Sequence, residues 1–297
     1  MMSRIAVFGG TGYLASLIKN QNNIKKNRYI FFSRKKKDKN YINYSSLKKN
    51  SNIFKNFDFI IHLVGSNQNQ LLKNKNLIKK KNKITSDICD LCLTYNIKLI
   101  YISSMQIYKD YGKTNISNKS KINLKNLYSK SHYESEKIIR EKFLNHKNMF
   151  SILRIGNVFG FKKYENFREI YNNLIHIFCL QALKTKKITI KDGSIQRTFI
   201  PSQIFVQVIN FIIKKKFFKN SVINIFYKNF NLKNISQIIK KRIKLIFSLN
   251  INVVVKKFSY QKKFLIHTNP NFKLKPTNKK IFIEIDQILK SIKNKLN

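Results

Sequence analysis

The first half of the chain alternates between short, continuous apolar runs and longer segments with helical spacing of apolar residues. Apolar runs bounded by polar segments predict buried strands at residues 4–8, 28–33, 59–64, 98–103 and 149–155. Apolar residues spaced three and four apart predict helices over residues 12–19, 77–95 and 126–144. Strands that alternate with helices are typical of a doubly wound parallel sheet, so we predict an α/β fold.

The pattern becomes less regular after about residue 157. It predicts helices at 165–184, 203–216 and 232–247, and short strands at 188–190 and 222–225. We therefore expect a nucleotide-binding domain at 1–160. A smaller α/β substrate-binding part, at 161–297, should be interleaved with it.

Length and composition restrict the class of protein. The chain has 297 residues, 43% of them hydrophobic, which is enough for a sizeable core. Its three cysteines argue against a disulfide framework. The apolar stretch at 204–213 is about half of what a bilayer span needs. We predict a cytoplasmic globular protein with no membrane partner.

The net charge of +47 comes from 60 basic and 13 acidic residues. A basic surface can bind nucleic acid. However, most of the basic residues are lysines spread along the whole chain, and the abundant Lys, Asn, Ile, Phe and Tyr all have AT-rich codons. We interpret the charge as a composition bias and expect no specific nucleic-acid partner.

A glycine-rich segment follows the first predicted strand and opens the first helix, as a dinucleotide-binding turn requires. It holds three of the eight glycines of the chain and reads Gly9-Gly10-Thr11-Gly12-Tyr13-Leu14-Ala15. Glycines permit the tight turn and let backbone N–H groups approach a pyrophosphate at the helix N-terminus. The predicted cofactor contacts here are Gly9, Thr11, Gly12, Tyr13 and Leu14.

The same segment resembles the fingerprint of the extended short-chain dehydrogenase/reductases, the NAD(P)-dependent sugar-nucleotide epimerase/dehydratase family. Further similar segments follow in the family's order. They are DFIIHLVG at 58–65, YISSMQIY at 101–108, YESEK at 133–137, LRIGNVFG at 153–160, DGSIQRTFI at 192–200 and VINI at 222–225.

The resemblance implies a Rossmann-like fold, an NAD(P) cofactor, a nucleotide-sugar substrate and an enzyme that can form a homodimer. It implies that Ser104, Tyr133 and Lys137 are catalytic. Further cofactor contacts are expected from Ser33, Arg34, Leu63, Val64, Gly65, Tyr133 and Lys137, and substrate contacts from Ser104, Asn157 and Arg197.

The chemistry of the Tyr133 segment agrees with this implication. A tyrosine normally titrates near 10, and a lysine four residues later on the same helix face can favour the phenolate. Ser104, at the end of a central strand, can orient the substrate oxygen. A competing placement of the same motif starts at Tyr128, but the residue four positions later is His132 and not a lysine. We therefore predict Tyr133 as the acid/base group.

Two departures from the family pattern refine the prediction. Ser33 and Arg34 stand where an NAD-preferring site places an acidic residue, which favours NADP over NAD. Met105 and Gln106 stand where the family's 4,6-dehydratases carry an Asp-Glu pair, which favours epimerisation or net reduction. The alternatives are an NADP-dependent reductase of another ketone, or a non-catalytic cofactor-sensing or RNA-binding member of the same fold.

No metal site is expected. Cys89 and Cys92 form a CxxC pair inside a predicted helix, and no second cysteine pair exists. His62 lies on a predicted buried strand, where a structural or cofactor-facing role is expected.

Overall fold

The computed structural model describes residues 3–20, 27–33, 41–43, 51–109, 111, 115–161, 173–259 and 274–296. The strands are β1 (Ser3–Phe8), β2 (Asn27–Ser33), β3 (Tyr41–Asn43), β4 (Phe59–His62), β5 (Lys98–Ser104), β6 (Phe150–Ile155), β7 (Asn157–Phe159), β8 (Lys187–Asp192), β9 (Gln196–Pro201), β10 (Ser221–Ile225), β11 (Lys228–Asn231) and β12 (Asn252–Lys257). The helices are α1 (Tyr13–Asn20), α2 (Gln68–Lys73), α3 (Asn76–Thr94), α4 (Leu127–Lys142), α5 (Leu174–Thr185), α6 (Ser202–Lys214), α7 (Leu232–Phe247) and α8 (Asn278–Leu296). Short 3-10 helices span Ser51–Asn56 and Met105–Ile107.

The chain divides into two compact units. The first comprises Met1–Lys109, Ser120–Ile155 and Val206–Asn224, and the second comprises Asp110–Lys119, Gly156–Phe205 and Ile225–Asn297. The first unit thus takes in residues 206–224, which the sequence-based division placed in the second part.

A seven-stranded sheet, with the strand order β10-β6-β5-β4-β1-β2-β3, organises the first unit. The five strand pairs from β3 through to β6 are all parallel, which confirms the predicted Rossmann-like sheet. Phe8 of β1 pairs with His62 of β4, and His62 pairs with Tyr101 of β5. The carboxyl ends of these three strands therefore meet at one edge of the sheet, where doubly wound folds bind ligands.

Most of the core is filled by Ile, Phe and Leu side chains, since the chain has no Trp and little Ala. The rings of Phe8, Phe32 and Phe54 are fully buried and stack, with centroids 5.0 Å apart for Phe8–Phe32 and 5.2 Å for Phe32–Phe54. Strands β4 and β6 are buried along their whole length. This burial explains why both strands carry apolar residues on both faces rather than in strict alternation with polar ones.

The second unit contains a three-stranded sheet of order β11-β9-β7 and a parallel pair, β12-β8. Glu284 of α8 is buried there and accepts hydrogen bonds from the Ser202 hydroxyl and from the N–H of Gln203, the latter at 3.3 Å. Neither β12 nor α8 was predicted from the sequence. No helix among the described residues is long and apolar enough to cross a bilayer.

Candidate active site

The glycine-rich turn joins β1 to α1 and has a conformation that needs glycine. Gly9 has φ = 85°, and a Cβ placed there would lie 2.9 Å from the carbonyl carbon of Leu63. The N–H groups of Gly9 and Gly10 donate to the carbonyl of Phe32 at 3.1 and 2.9 Å, which fixes the turn against β2. A Cβ on Gly12 would lie 3.1 Å from the carbonyl oxygen of Gly9.

This turn fits a dinucleotide. Helix α1 begins at Tyr13, so its first N–H groups are available to an anion, and the helix dipole favours negative charge there. Thr11, Tyr13 and Leu14 are partly exposed and Gly12 is exposed, so all four can be reached by a ligand. The turn is therefore suited to a pyrophosphate.

The segment after β4 lies beside the turn. The N–H of Leu63 donates to the Phe8 carbonyl at 2.9 Å, and the N–H of Val64 donates to His62 Nδ1 at 3.2 Å. Gly65 is exposed, and a Cβ there would meet no atom within 4 Å. The predicted contacts Leu63, Val64 and Gly65 are thus at the ligand-binding edge of the sheet.

Ser33 ends β2 and is buried. It carries no carboxylate that could accept a hydrogen bond from a ribose hydroxyl. Arg34, the other predicted determinant of cofactor choice, lies outside the described residues.

Ser104 ends β5 and is 5% exposed. Its Oγ accepts a hydrogen bond from the N–H of Gln106 at 3.2 Å. The carbonyl of Gln106 in turn accepts a hydrogen bond from the Ser129 hydroxyl at 2.7 Å. These contacts attach the first turn of α4 to the end of β5.

Tyr128 lies in this first turn of α4, beside Ser104. Burial raises the pKa of Tyr128, and a side-chain hydrogen bond with Ser104 acts against that rise. The start of the helix is held by Asn126, whose side chain accepts from the N–H of Ser129 at 2.7 Å, and by Gln68, which accepts from the N–H of Tyr128 at 2.9 Å. Of the α4 tyrosines, Tyr128 is therefore the one whose pKa Ser104 affects.

Tyr133 and Lys137 lie on a different part of the helix surface. Five residues rotate the helix by about 140° relative to Tyr128. The Arg140 guanidinium lies 6.0 Å from the Tyr133 ring centroid, and the Lys137 Nζ lies 3.6 Å from Glu141, with the Lys137 side chain 68% exposed. Within the described residues, neither side chain makes a hydrogen bond or ring contact with Ser104. The structure thus does not assemble the catalytic group predicted from the sequence.

His132 stands four residues after Tyr128, and its ring packs edge-on against the Tyr128 ring with centroids 4.6 Å apart. Its Nδ1 lies 3.0 Å from the Tyr101 hydroxyl. Burial, followed by the charge of Lys81, lowers the pKa of His132 well below its usual value, so its imidazole is neutral at physiological pH. His132 cannot supply the positive charge that a lysine would supply at this position.

A buried ion pair fixes the register of α4. Glu136 is fully buried and accepts from Arg154 Nε at 2.9 Å, from Arg154 Nη2 at 2.6 Å and from the Ser103 hydroxyl at 2.6 Å. Sequence reasoning weighed Tyr128 only as the alternative to Tyr133, and it did not identify Glu136. The signal that could have found them is the helical stripe of the buried or site-facing residues Tyr128, His132, Ser135, Glu136 and Ile139, which has the spacing of one helix face.

The predicted substrate contacts Asn157 and Arg197 belong to the second unit. Asn157 Nδ2 donates to the Thr198 carbonyl at 3.1 Å. Arg197 Nη1 donates to the Gln196 carbonyl at 2.9 Å, and its guanidinium lies 5.4 Å from the Tyr111 ring centroid.

Neither histidine nor cysteine side chains form a metal centre in the described part of the chain, which contains no group of three or more His, Cys, Asp or Glu suited to a metal ion. His62 is fully buried, and its Nε2 lies 2.9 Å from the Thr85 hydroxyl. Burial, with a smaller effect of the Lys81 charge, lowers its pKa to about 3. Cys89 and Cys92 are free, buried thiols.

Comparison with protein families decides the assignment. A model described as the NAD dependent epimerase/dehydratase family matches residues 5–225. This chain belongs to that family. The match confirms the predicted family and the predicted enzyme class. The chain is therefore an enzyme of the extended short-chain dehydrogenase/reductase type, in a family described as NAD-dependent.

Solved structures of this epimerase/dehydratase family share the fold. UDP-N-acetylglucosamine 4-epimerase from Methanobrevibacter ruminantium M1, in complex with UDP-N-acetylmuramic acid, has a TM-score of 0.78 and 18% identity, over 99% of this chain and 100% of that one. UDP-N-acetylglucosamine 4-epimerase from Bacillus cereus has a TM-score of 0.74 and 21% identity, over 97% and 96%. dTDP-glucose 4,6-dehydratase from Bacillus anthracis, in complex with NAD, has a TM-score of 0.75 and 16% identity, over 99% and 97%. A search of curated proteins finds no match.

Proposed function

We propose that this epimerase/dehydratase family member oxidises and then reduces one carbon of a nucleotide-linked sugar, with Tyr128 as the acid/base group. The observation that supports this proposal is the attachment of the first turn of α4 to the carboxyl end of β5, where the Ser129 hydroxyl donates to the Gln106 carbonyl at 2.7 Å and the Gln106 N–H donates to Ser104 Oγ at 3.2 Å. The glycine-rich turn lies at the same edge of the sheet, since β1, β4 and β5 are neighbours in parallel register.

The roles of the residues follow from their chemistry. The Tyr128 oxygen takes the proton of the substrate hydroxyl as its carbon is oxidised, and returns that proton when the carbon is reduced. The Ser104 hydroxyl donates a hydrogen bond to the same substrate oxygen and orients it. The N–H groups at the start of α1 would hold the pyrophosphate of a nicotinamide dinucleotide. When bound, that cofactor would supply hydride transfer to and from the substrate carbon.

The residues after Ser104 favour epimerisation over 4,6-dehydration. Dehydration removes a proton from one sugar carbon and expels a hydroxyl from the next, so it needs a further acid/base pair. The Met105 side chain is fully buried and has no exchangeable proton, and the amide of Gln106 does not titrate near neutral pH. We propose a C4 epimer as the product from a UDP-hexose, or an alcohol if the substrate is a keto-sugar. A 4-keto-6-deoxy product detected by NMR would refute this proposal.

We also propose that NADP is preferred over NAD. Ser33, at the end of β2, carries no negative charge that would repel a 2′-phosphate, and Arg34 follows it in sequence. Calorimetric titration with both reduced cofactors at physiological salt measures this preference. Equal or tighter binding of NADH would refute it.

A pair of matched variants tests the proposed acid/base group. Tyr128→Phe should retain the fold and cofactor binding but lose about 10²–10⁴-fold in turnover, because the phenol proton is removed. Tyr133→Phe makes the same chemical change on the same helix and should retain turnover within about twofold. If Tyr133→Phe is the inactive variant, the acid/base group is Tyr133, as the sequence alone predicts.

One observation favours a second candidate function. His132 stands where a lysine would normally follow the catalytic tyrosine, so a non-catalytic member that binds a cofactor or RNA is the competing proposal. Mass spectrometry of small molecules retained by the purified protein, followed by turnover assays with UDP-hexoses, distinguishes the two. A retained dinucleotide without any turnover would favour the competing proposal. A homodimer remains an expectation from the family resemblance, and light scattering tests it.

A further inference from the structure

Gln68 is the first residue of α2, and its side chain reaches the neighbouring helix α4. Its Oε1 accepts a hydrogen bond from the backbone N–H of Tyr128 at 2.9 Å. The two residues are 60 positions apart in the sequence, so the contact joins two separate elements of the first unit. A side chain of α2 is therefore attached directly to the backbone of the proposed acid/base residue.

Helix α4 already has an N-cap without this contact. The first N–H groups of a helix have no acceptor within the helix and are satisfied by a capping side chain or by water. Asn126, which precedes α4, accepts from the Ser129 N–H at 2.7 Å and is an ordinary N-cap. The contact from Gln68 therefore adds a fixed position for Tyr128 to a helix start that is capped by its own residue.

The short helix that carries Gln68 is itself held by a capping box. Asn67 Oδ1 accepts from the Gln70 N–H at 2.9 Å, and Gln70 Oε1 accepts from the Asn67 N–H at 3.0 Å. These contacts enclose Gln68 and give its backbone a defined orientation. Two residues separate Gln68 from Gly65, so the segment expected to contact the cofactor leads directly into this helix.

A second element holds the same turn of α4. The Ser129 hydroxyl donates to the Gln106 carbonyl at 2.7 Å, and the Gln106 N–H donates to Ser104 Oγ at 3.2 Å. The adjacent residues Tyr128 and Ser129 are thus attached to α2 and to the end of β5, respectively. Because each hydrogen bond restricts the movement that the other leaves free, the pair defines where the Tyr128 side chain starts.

We propose that Gln68 is a positioning residue for the reaction: by accepting from the Tyr128 N–H, it sets the distance between the phenol and the substrate oxygen that Ser104 orients. This inference rests on the proposed function, in which Tyr128 exchanges the substrate proton. Gln68 touches neither substrate nor cofactor in this proposal. Proton transfer needs hydrogen-bond reach, and a misplacement of about 1 Å can cost on the order of 10²-fold in rate.

Steady-state kinetics of the full-length protein, with a UDP-hexose and saturating cofactor, tests this role. Gln68→Met keeps the length of the side chain but removes the acceptor, and it should lower kcat about tenfold while KM and the Kd of the cofactor stay within about twofold. Gln68→Glu keeps an acceptor oxygen and should restore kcat to within about threefold of the wild-type value. A folded Gln68→Met with wild-type kcat would overturn the proposal.

Gln70→Met is the matched control, because it makes the same chemical change two residues further along α2. It removes the exposed capping contact with Asn67 but leaves the hydrogen bond between Gln68 and Tyr128, so kcat should stay within about twofold of the wild-type value. An equal fall of kcat in Gln68→Met and Gln70→Met would also overturn the proposal, since a weakened α2 would then explain both.

Amide hydrogen exchange followed by NMR tests the contact without turnover. In wild-type protein the Tyr128 N–H should be protected although it lies in the first turn of a helix, and in Gln68→Met it should exchange about tenfold faster. The Ser129 N–H, which Asn126 caps, should keep its exchange rate in both proteins. An unprotected Tyr128 N–H in wild-type protein would overturn the proposal, whether or not Gln68→Met folds.

The tyrosine variant separates this inference from the function on which it rests. If Tyr128→Phe keeps full turnover, the proposed acid/base role fails, and the positioning role fails with it. If Tyr128→Phe is inactive and Gln68→Met is fully active, the role of Gln68 alone is refuted.

Discussion

The buried carboxylate of Glu136 offers a quantitative test of how α4 is attached to the sheet. Its two oxygens accept hydrogen bonds from Arg154 at 2.9 and 2.6 Å, and one of them also accepts from the Ser103 hydroxyl at 2.6 Å. Glu136→Gln keeps the size of the side chain but removes its charge and replaces one acceptor oxygen by an NH2 donor. The Arg154 guanidinium, 2% exposed, would then remain buried without its counter-charge.

The expected loss follows from that burial. Removing one partner of a buried ion pair costs about 3–5 kcal/mol, because the other charge stays in a low-dielectric environment. Glu141→Gln is the matched control, since it makes the same chemical change on the same helix. The side chains of Glu141 and Lys137 are 62% and 68% exposed, and an exposed pair of this kind contributes about 0–1 kcal/mol.

Urea unfolding followed by far-UV circular dichroism measures both variants at one pH. We expect Glu136→Gln to lower the free energy of unfolding by several times more than Glu141→Gln does. A loss below about 1 kcal/mol for Glu136→Gln would refute the reasoning. So would equal losses in the two variants, because the contacts would then not set the helix register.

Three further predictions concern the turn, the thiols and the charge. Gly9→Ala should cost about 1–3 kcal/mol and abolish dinucleotide binding in a calorimetric titration, because of the positive φ and the Leu63 contact; unchanged binding would contradict this role of the turn. Burial raises the pKa of the Cys89 and Cys92 thiols, so native protein should react with a disulfide reagent far more slowly than urea-unfolded protein; rapid native labelling would contradict the buried assignment. Binding of RNA or duplex DNA should be weak, without sequence preference and steeply salt-dependent in fluorescence anisotropy; tight selective binding at physiological salt would contradict a compositional origin of the charge.

The sheet of the first unit could be predicted from the sequence because burial dominates its strands. A parallel strand covered on both faces needs apolar side chains on both, so β4 and β6 are mostly apolar without a strict alternation of apolar and polar residues. The predicted helix at 77–95 is α3, Asn76–Thr94, within one residue at each end. Its buried face, which includes Ile78, Thr85, Ile88 and Cys92, recurs at helical spacing.

The late elements were missed for an equally physical reason. Strand β12 alternates partly buried and exposed residues and carries lysines at its end, so its apolar run is only three valines long. Helix α8 does contain a signal, since Ile281, Ile285, Ile288 and Ile292 are buried at helical spacing. The lysines and the polar residues between these isoleucines lower the average hydropathy of the segment, and only the periodicity reveals the helix.

The register of the active-site helix shows a limit of motif reading. In a lysine-rich chain a tyrosine followed four residues later by a lysine can arise by chance, so the Tyr133–Lys137 spacing is a weak signal by itself. The structure instead buries the face of α4 that carries His132 and Glu136. Glu136 is the more informative residue, because a carboxylate fully buried among basic side chains needs a partner, and Arg154 on β6 provides it.

Composition thus changes which property of a residue carries information. Acidic residues number 13 in this chain, so the identity of each is informative, and Glu136 and Glu284 are both buried in specific hydrogen-bonded positions. For lysine the identity is uninformative, and burial is what separates one lysine from the solvated majority. Lys81 is 4% exposed, donates a hydrogen bond to the Ser131 carbonyl of α4 and lies 5.6 Å from the Tyr101 ring centroid, whereas the Lys137 side chain is 68% exposed.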